Sequence, residues 1–242
     1  MASPLEHDWD LAPSAARALQ AELASLVTAS ALPSCDFVAA ADVSHDRGAK
    51  NLFAAVVVME RASGRIVESV GVEKPVTFPY VPGLLSFRET PAILAAFRLL
   101  KSRVDLLLCD GQGLAHPRGL GVACHVGLML DLPTFGVAKS RLFGHAAEPG
   151  PNRGDRSPLL HDGRLLGTVV RTKPRANPLY LSVGHRCDLE TGVDVVMSLT
   201  GRRRLPSPAI AAHEFVNRLR RESRADMDPI ESGCDPGRNP QA

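Results

Sequence analysis

Three carboxylates in this 242-residue sequence stand where an acid needs a partner. Asp42 lies in the apolar run Phe37–Ser44 (FVAAADVS), and a carboxylate drawn into a sheet is costly unless it is paired or binds a cation. The run leaves open whether Asp42 caps a loop at a strand end or holds an ion. Asp110 follows the apolar stretch Val104–Cys109 and precedes Gly111-Gln112-Gly113. Carboxyl ends of strands in open α/β sheets are where ligands bind, whereas Asp-Gly alone is also a common turn, and this GxG lacks the rest of a dinucleotide fingerprint. Glu89 closes Ser86-Phe-Arg-Glu89, which fits a capping box, but Pro91 would then fall past the first helical turn, where it is penalised. A helix with Thr90 as N-cap and Pro91 at its first position costs less and leaves Glu89 free just outside it. Three such oxygen donors suit Mg²⁺ or Mn²⁺ better than zinc.

Around these acids stand residues with weaker signals. Lys139, in AKSRL, could offset a phosphate charge or orient a water, or be an ordinary surface lysine. His213 shares a helical stripe with Asn217, Arg220 and Arg221, while His125, on an apolar helix, reads as structural. Pro79-Tyr80-Val81-Pro82-Gly83 is a stiff segment that displays an aromatic ring able to stack on a base. Arg202–Arg204 and Arg218, Arg220, Arg221 and Arg224 could meet phosphates.

The elements that must position these groups follow from periodicity. Helical spacing of apolar residues predicts a helix from Pro13 to about Ala31. Phe37–Val43, Leu52–Glu60 and Arg65–Val72 read as an antiparallel meander of strands. A helix around Ile93–Leu100, the central strand Val104–Cys109, a buried helix within Gly119–Leu130 and a short strand Thr134–Val137 then turn the pattern to β/α. Residues 144–164 read as a long surface loop, a length that is uncommon unless functional. Strands at Leu165–Arg171 and Leu179–Val183 are followed by a helix capped by Asp188 and a last helix from Ser207 to about Glu222. The domain is thus expected to span residues 1–222, with a disordered tail over 223–242.

Composition narrows the function. A net charge of +2 conceals a segment, residues 111–224, with 17 basic and 9 acidic residues, which points to a polyanionic partner. The apolar runs fall short of the ~20 residues needed to span a bilayer, and the acidic N-terminus lacks the pattern of a secretory signal. The sequence is read as cytoplasmic, with no membrane partner, and a monomer is the simplest state. Five cysteines without a C-x-x-C pair argue against a disulfide framework or a structural zinc and read mostly as buried apolar residues.

Six ordered blocks together resemble the endonuclease V family of the ribonuclease H-like superfamily: AADVS at Asp42, PYVPGLLSFRE (79–89), LLLCDGQGLAHPRGLG (106–121), DLPTFGVAKSRLFG (131–144), LYLSVGHR (179–186) and AHEFVN (212–217). The resemblance implies an α/β fold, a mixed β-sheet flanked by α-helices in one domain. It implies a magnesium-dependent endonuclease (manganese as a substitute) of DNA repair, cutting the second phosphodiester 3′ to deoxyinosine and leaving 3′-hydroxyl and 5′-phosphate ends. On this resemblance Asp42, Glu89 and Asp110 are the metal acids, His213 a further metal-site residue, Lys139 the basic catalytic residue and Tyr80 an aromatic wedge. The flipped base would meet Gly83, Leu85, Gly111, His116, Val122, Gly136, Ala138 and Leu142. Two positions depart from the family pattern: His45 stands where an aromatic residue is usual, and Gln112 where histidine is frequent. The alternatives are an inosine-specific endoribonuclease acting on single-stranded RNA, which matched DNA and RNA strands would separate, and a non-catalytic lesion-binding module, which would bind but never nick.

Overall fold

In a computed structural model, which describes residues 5–227 apart from 33, 47 and 49, one mixed eight-stranded sheet carries the chain, with helices on both faces. Strands β1 (Phe37–Ser44), β2 (Asn51–Glu60) and β3 (Arg65–Pro75) form the expected antiparallel meander. Helix α2 (Leu85–Phe97) leads to β4 (Leu106–Cys109), and α3 (Val122–Leu130) to β5 (Thr134–Ala138); β1, β4 and β5 are mutually parallel and adjacent. Strands β6 (Arg156–His161), β7 (Arg164–Val170) and β8 (Leu179–His185) extend the sheet antiparallel beyond β5, giving the order β3-β2-β1-β4-β5-β8-β7-β6. Helices α1 (Pro13–Ala24), α4 (Leu189–Leu199) and α5 (Ser207–Met227) complete the fold.

Side-chain alternation divides the core. Val38, Ala40, Leu106, Leu108, Phe135 and Val137 pack under α4 and α5, whereas Ala39, Ala41, Leu107 and Cys109 pack with Ile93 of α2 and Val126 of α3. Continuing the same count by two places Asp42, Asp110 and Lys139 on the α5 side, just at or past the carboxyl ends of three adjacent parallel strands. Because Ala41 is paired with Cys109, the two aspartates that follow them are neighbours.

Four expectations are corrected. Helix α1 stops at Ala24: the next N–H groups bond three residues back in a tightened turn, Leu26 is exposed, and Thr28 is drawn off to the backbone N–H of Arg186 and the His185 ring. Helix α2 starts at Leu85, so Glu89 is its fifth residue and Pro91 lies inside it; neither Thr90 nor Ser86 caps it. The internal proline costs about 3 kcal/mol, but Leu84 and Phe87, fully buried beside Phe78 and Ala16, return about 1.5–3 kcal/mol each and draw the first turn into helix. Residues 156–161, inside the expected long loop, form β6: Ser157 and Leu159 are buried while Arg156, Pro158 and Leu160 are exposed. Pro158 hid the strand, and it is tolerated there because β6 is an edge. Residues 223–227, assigned to the tail, continue α5, and the rest of that tail lies outside the described residues.

Asp188 does cap α4, its Oδ1 accepting from the Thr191 N–H at 2.8 Å. Cys35, Cys109, Cys124 and Cys187 are buried free thiols, and Cys234 lies outside the described residues. No helix among the described residues is long and apolar enough to cross a membrane.

His125 is fully buried on α3 between Phe87 and Trp9; its Nε2 meets His7 Nε2 at 2.8 Å and its Nδ1 has no partner. Burial, then the charge of His7, pushes its pKa down to about 3. The folded state therefore binds one proton fewer than the unfolded chain between about pH 6.5 and 3, so stability falls as pH falls through that window, by up to about 1.4 kcal/mol per pH unit from this group. Thermal melts of His125→Phe at pH 7 and pH 5 are expected to show a smaller acid loss than the parent, the remainder owing to groups such as His116, whose pKa is also lowered, to about 4.

Candidate active site

Asp42, Glu89 and Asp110, from β1, α2 and the end of β4, line one cavity of about 210 Å³ with Ala41, Val43, Leu85 and Ile93. Asp42 is 7 % exposed; its Oδ2 meets His213 Nδ1 of α5 at 2.7 Å and its Oδ1 accepts from the Val43 N–H. Burial and the charge of Asp110 raise its pKa, while the His213 hydrogen bond and Lys139 oppose the rise. Glu89 is pushed up to about 8 by burial and then by Asp110 and Asp42. Asp110 is paired to Lys139 Nζ at 2.5 Å.

The partners of these acids are themselves held. Arg204 donates to the Lys139 carbonyl at 2.8 Å and to that of Pro178 at 2.9 Å, so it braces the loop after β5 and is not free for phosphate. Asn217, one turn beyond His213, donates to the His213 carbonyl at 2.8 Å, lies 3.1 Å from its Nε2 and accepts from Ser44 at the end of β1. His213 is not in the wall of the carboxylate cavity and meets it through Asp42. Among the other basic residues, Arg220 pairs with Asp46 and Arg203 with Glu214.

Asp110 and Leu85 also line a larger cavity, of about 390 Å³. Of the residues expected at a base, Tyr80, Gly83, Leu85, Gly111, His116, Val122, Ala138 and Leu142 are in its wall, with Lys139 at the junction. Gly136 is not. It lies beneath the loop after β4, where a Cβ would come within 2.6 Å of Gly113 N and 2.7 Å of Gly111 O, so it sets the depth of that loop without reaching the cavity. Tyr80 is 68 % exposed and Leu142 52 %, and both stand in the wall as exposed apolar surface.

Val81-Pro82-Gly83-Leu84 is a turn closed by Leu84 N–H to Val81 O, and Gly83 takes the positive φ of 76° that its third position requires. The Gly83 carbonyl accepts from Arg118, Gln20 and His116 Nε2, and His116 Nδ1 accepts from the Arg118 N–H. His116 is therefore a neutral brace for the turn, with both nitrogens engaged. Sequence reasoning missed Gln20, whose signal was a polar residue at a core position of the α1 stripe, one turn after Ala16. It also missed Ser86 and Gln112 in the cavity wall, whose Oγ and Oε1 are buried without a partner.

A hard divalent cation fits this donor set, because three carboxylates drawn to one cavity with Glu89 forced toward its neutral form are relieved by positive charge. Among the described residues no three such side chains are closed around a single point as they stand; Asp42 is turned to His213 and Asp110 to Lys139.

Comparison with known proteins gives the same picture. The family model described as Endonuclease V matches residues 21–214. An endonuclease V of Azotobacter vinelandii is 45 % identical over 213 residues, 87 % of this chain and 96 % of that one. The crystal structure of the Streptomyces avermitilis endonuclease V superposes with a TM-score of 0.86 at 36 % identity, covering 91 % of this chain and 98 % of that one. The fold is shared at 23 % identity and TM-score 0.76, over 87 % of this chain and 98 % of the other, with a Ciona intestinalis endonuclease V solved with a 24mer DNA containing an inosine followed by a ribo-adenosine. On the family match and the identity over nearly the whole length of its relatives, the chain belongs to the endonuclease V family of nucleases.

Proposed function

We propose that the protein is a magnesium-dependent repair endonuclease that reads deoxyinosine in DNA and cuts the strand at the second phosphodiester on the 3′ side. The observation that carries this is the junction of two cavities at Asp110 and Leu85: one lined by three carboxylates, the other by main chain, small residues and an exposed tyrosine. Reading and cutting at different nucleotides needs two such compartments side by side. The Ciona intestinalis relative, solved with inosine-containing DNA, supports the choice of base.

Asp42, Glu89 and Asp110 would hold the cation, with Mn²⁺ as a substitute. When bound, the ion supplies an activated water and charge stabilisation for the leaving oxygen. His213 aims Asp42 and opposes the rise that burial imposes on it, and Lys139, at the junction, holds Asp110 and faces the scissile phosphate. The water oxygen would join phosphorus and give up a proton, the bond from phosphorus to the 3′ oxygen would break, and that oxygen, taking up a proton in turn, would leave as the 3′-hydroxyl with the phosphate on the 5′ end. Gly83, Gly111 and Ala138 let backbone approach the flipped base, Leu85, Val122 and Leu142 cover its faces, and Tyr80 fills the gap left in the stack. Four buried free thiols accord with a reducing cytoplasm, where the protein would act as a monomer.

An inosine duplex is expected to be nicked with Mg²⁺ and left intact with EDTA, and Asp42→Asn to lower turnover about 100-fold or more, since even outer partners of metal ligands are worth about 10- to 100-fold. Binding without nicking by the metal-supplied parent protein would overturn the enzymatic reading. Tyr80→Ala, at an exposed position, should leave the melting temperature unchanged while weakening affinity for the inosine duplex about ten-fold, the worth of a base stack. An unchanged affinity would remove Tyr80 from the interface.

A further inference from the structure

The stretch expected to be a loop has a use beyond closing the sheet. The β6–β7 hairpin brings His161 and Arg164 beside Phe143, Leu114 and Arg118, and together they wall a groove of about 440 Å³. This groove shares His116 with the base cavity and no residue with the carboxylate cavity, so the base cavity lies between the two. No residue lining it is acidic; Asp162, at the hairpin tip, pairs with His161 from outside the wall. Arg164 is exposed and makes no ion pair or side-chain hydrogen bond among the described residues. Phe143 meets the His161 ring at a centroid distance of 4.2 Å and packs with Leu159 and Leu166, which offers a fixed aromatic surface next to cations.

A free guanidinium beside an aromatic face, with no acid between, matches one nucleotide: a phosphodiester for Arg164 and a base for the ring. We infer that this groove binds the nucleotide on the 5′ side of the base being read, its phosphate on Arg164 and its base against Phe143. The polarity rests on the proposed function: a cut 3′ to the read base places the 3′ flank over the carboxylates, and the flank across the base cavity is then the 5′ one. The groove thus fixes register from the side away from the chemistry.

The test is a cycle of protein and strand changes read by fluorescence anisotropy of the whole protein in EDTA. Three labelled oligodeoxynucleotides carry inosine centrally, at the 5′ end with no 5′ flank, or at the 3′ end with no 3′ flank. Arg164→Ala is expected to raise Kd about ten-fold on the first and third strands, to leave the second unchanged, and to lower the salt slope of binding by about one. Phe143→Leu, which keeps apolar packing, should weaken binding to the central-inosine strand and lose that effect when the nucleotide 5′ to inosine is abasic. Equal losses on all three strands, no loss on any, or a loss that vanishes only when the 3′ flank is missing would each overturn the inference. Failure of the proposed function reads differently, as the expected binding contrasts with no nicking once Mg²⁺ is supplied.

Discussion

Like charge confined to a small space is the constraint from which the rest of this molecule follows. Two aspartates one residue past a paired position on adjacent parallel strands cannot avoid each other, and Glu89 reaches the same cavity from the opposite face of the sheet. Each ionised pair a few ångströms apart in a partly dry site repels by several times its value in water. The fold answers with partners from two further elements, the Lys139 ammonium after β5 and the His213 imidazole on α5, and each of those has its own support, Arg204 for the first and Asn217 with Ser44 for the second. The helix that closes one face and the strand that continues the parallel set are therefore both parts of the electrostatic solution.

The carboxylates were legible in the sequence because each violates a local rule: an acid in an apolar strand, an acid before Gly-x-Gly, an acid beside a helix start that proline complicates. Strands β1, β2 and β4 were legible for the same reason that they are buried, near-continuous apolar runs with clear turns, and β3 from the short turn that joins it to β2. What was not legible depends on partners distant in sequence. The start of α2 is decided by Phe78 and Ala16, not by capping chemistry, and local rules therefore placed Glu89 outside a helix that contains it. Strand β6 exists because β7 lies beside it, and its proline reads locally as a break. Gly136 carries a motif's signature for a base pocket, yet its missing side chain is needed one layer below.

The braces show how a loop-built cavity is kept rigid. Gly83 offers one carbonyl to three donors drawn from α1 and from the loop after β4, so the turn bearing Tyr80 is tied to two separate parts of the chain. Gly113, Gly121 and Gly136 permit backbone-to-backbone approaches that any side chain would forbid; a Cβ on Gly113 would lie 1.9 Å from Val183 O and one on Gly121 2.1 Å from Gln112 O. A pocket made largely of main chain gains precision in this way, since backbone has no rotamers to reorder.

Pro158 has a consequence for how molecules of this protein meet one another. An open sheet of eight strands has two edges, and the backbone groups left unpaired on each are a template on which a second copy could add its own edge. On β6 Leu160 already exchanges both backbone bonds with His145, and the proline two residues before it deletes a donor, with Arg156 and Arg164 charged nearby. On β3, Arg65, Glu68, Glu73 and Lys74 spread charge of both signs along the other. The sheet is thereby kept finite, and copies of a nuclease brought close together along one nucleic acid are discouraged from pairing edge to edge.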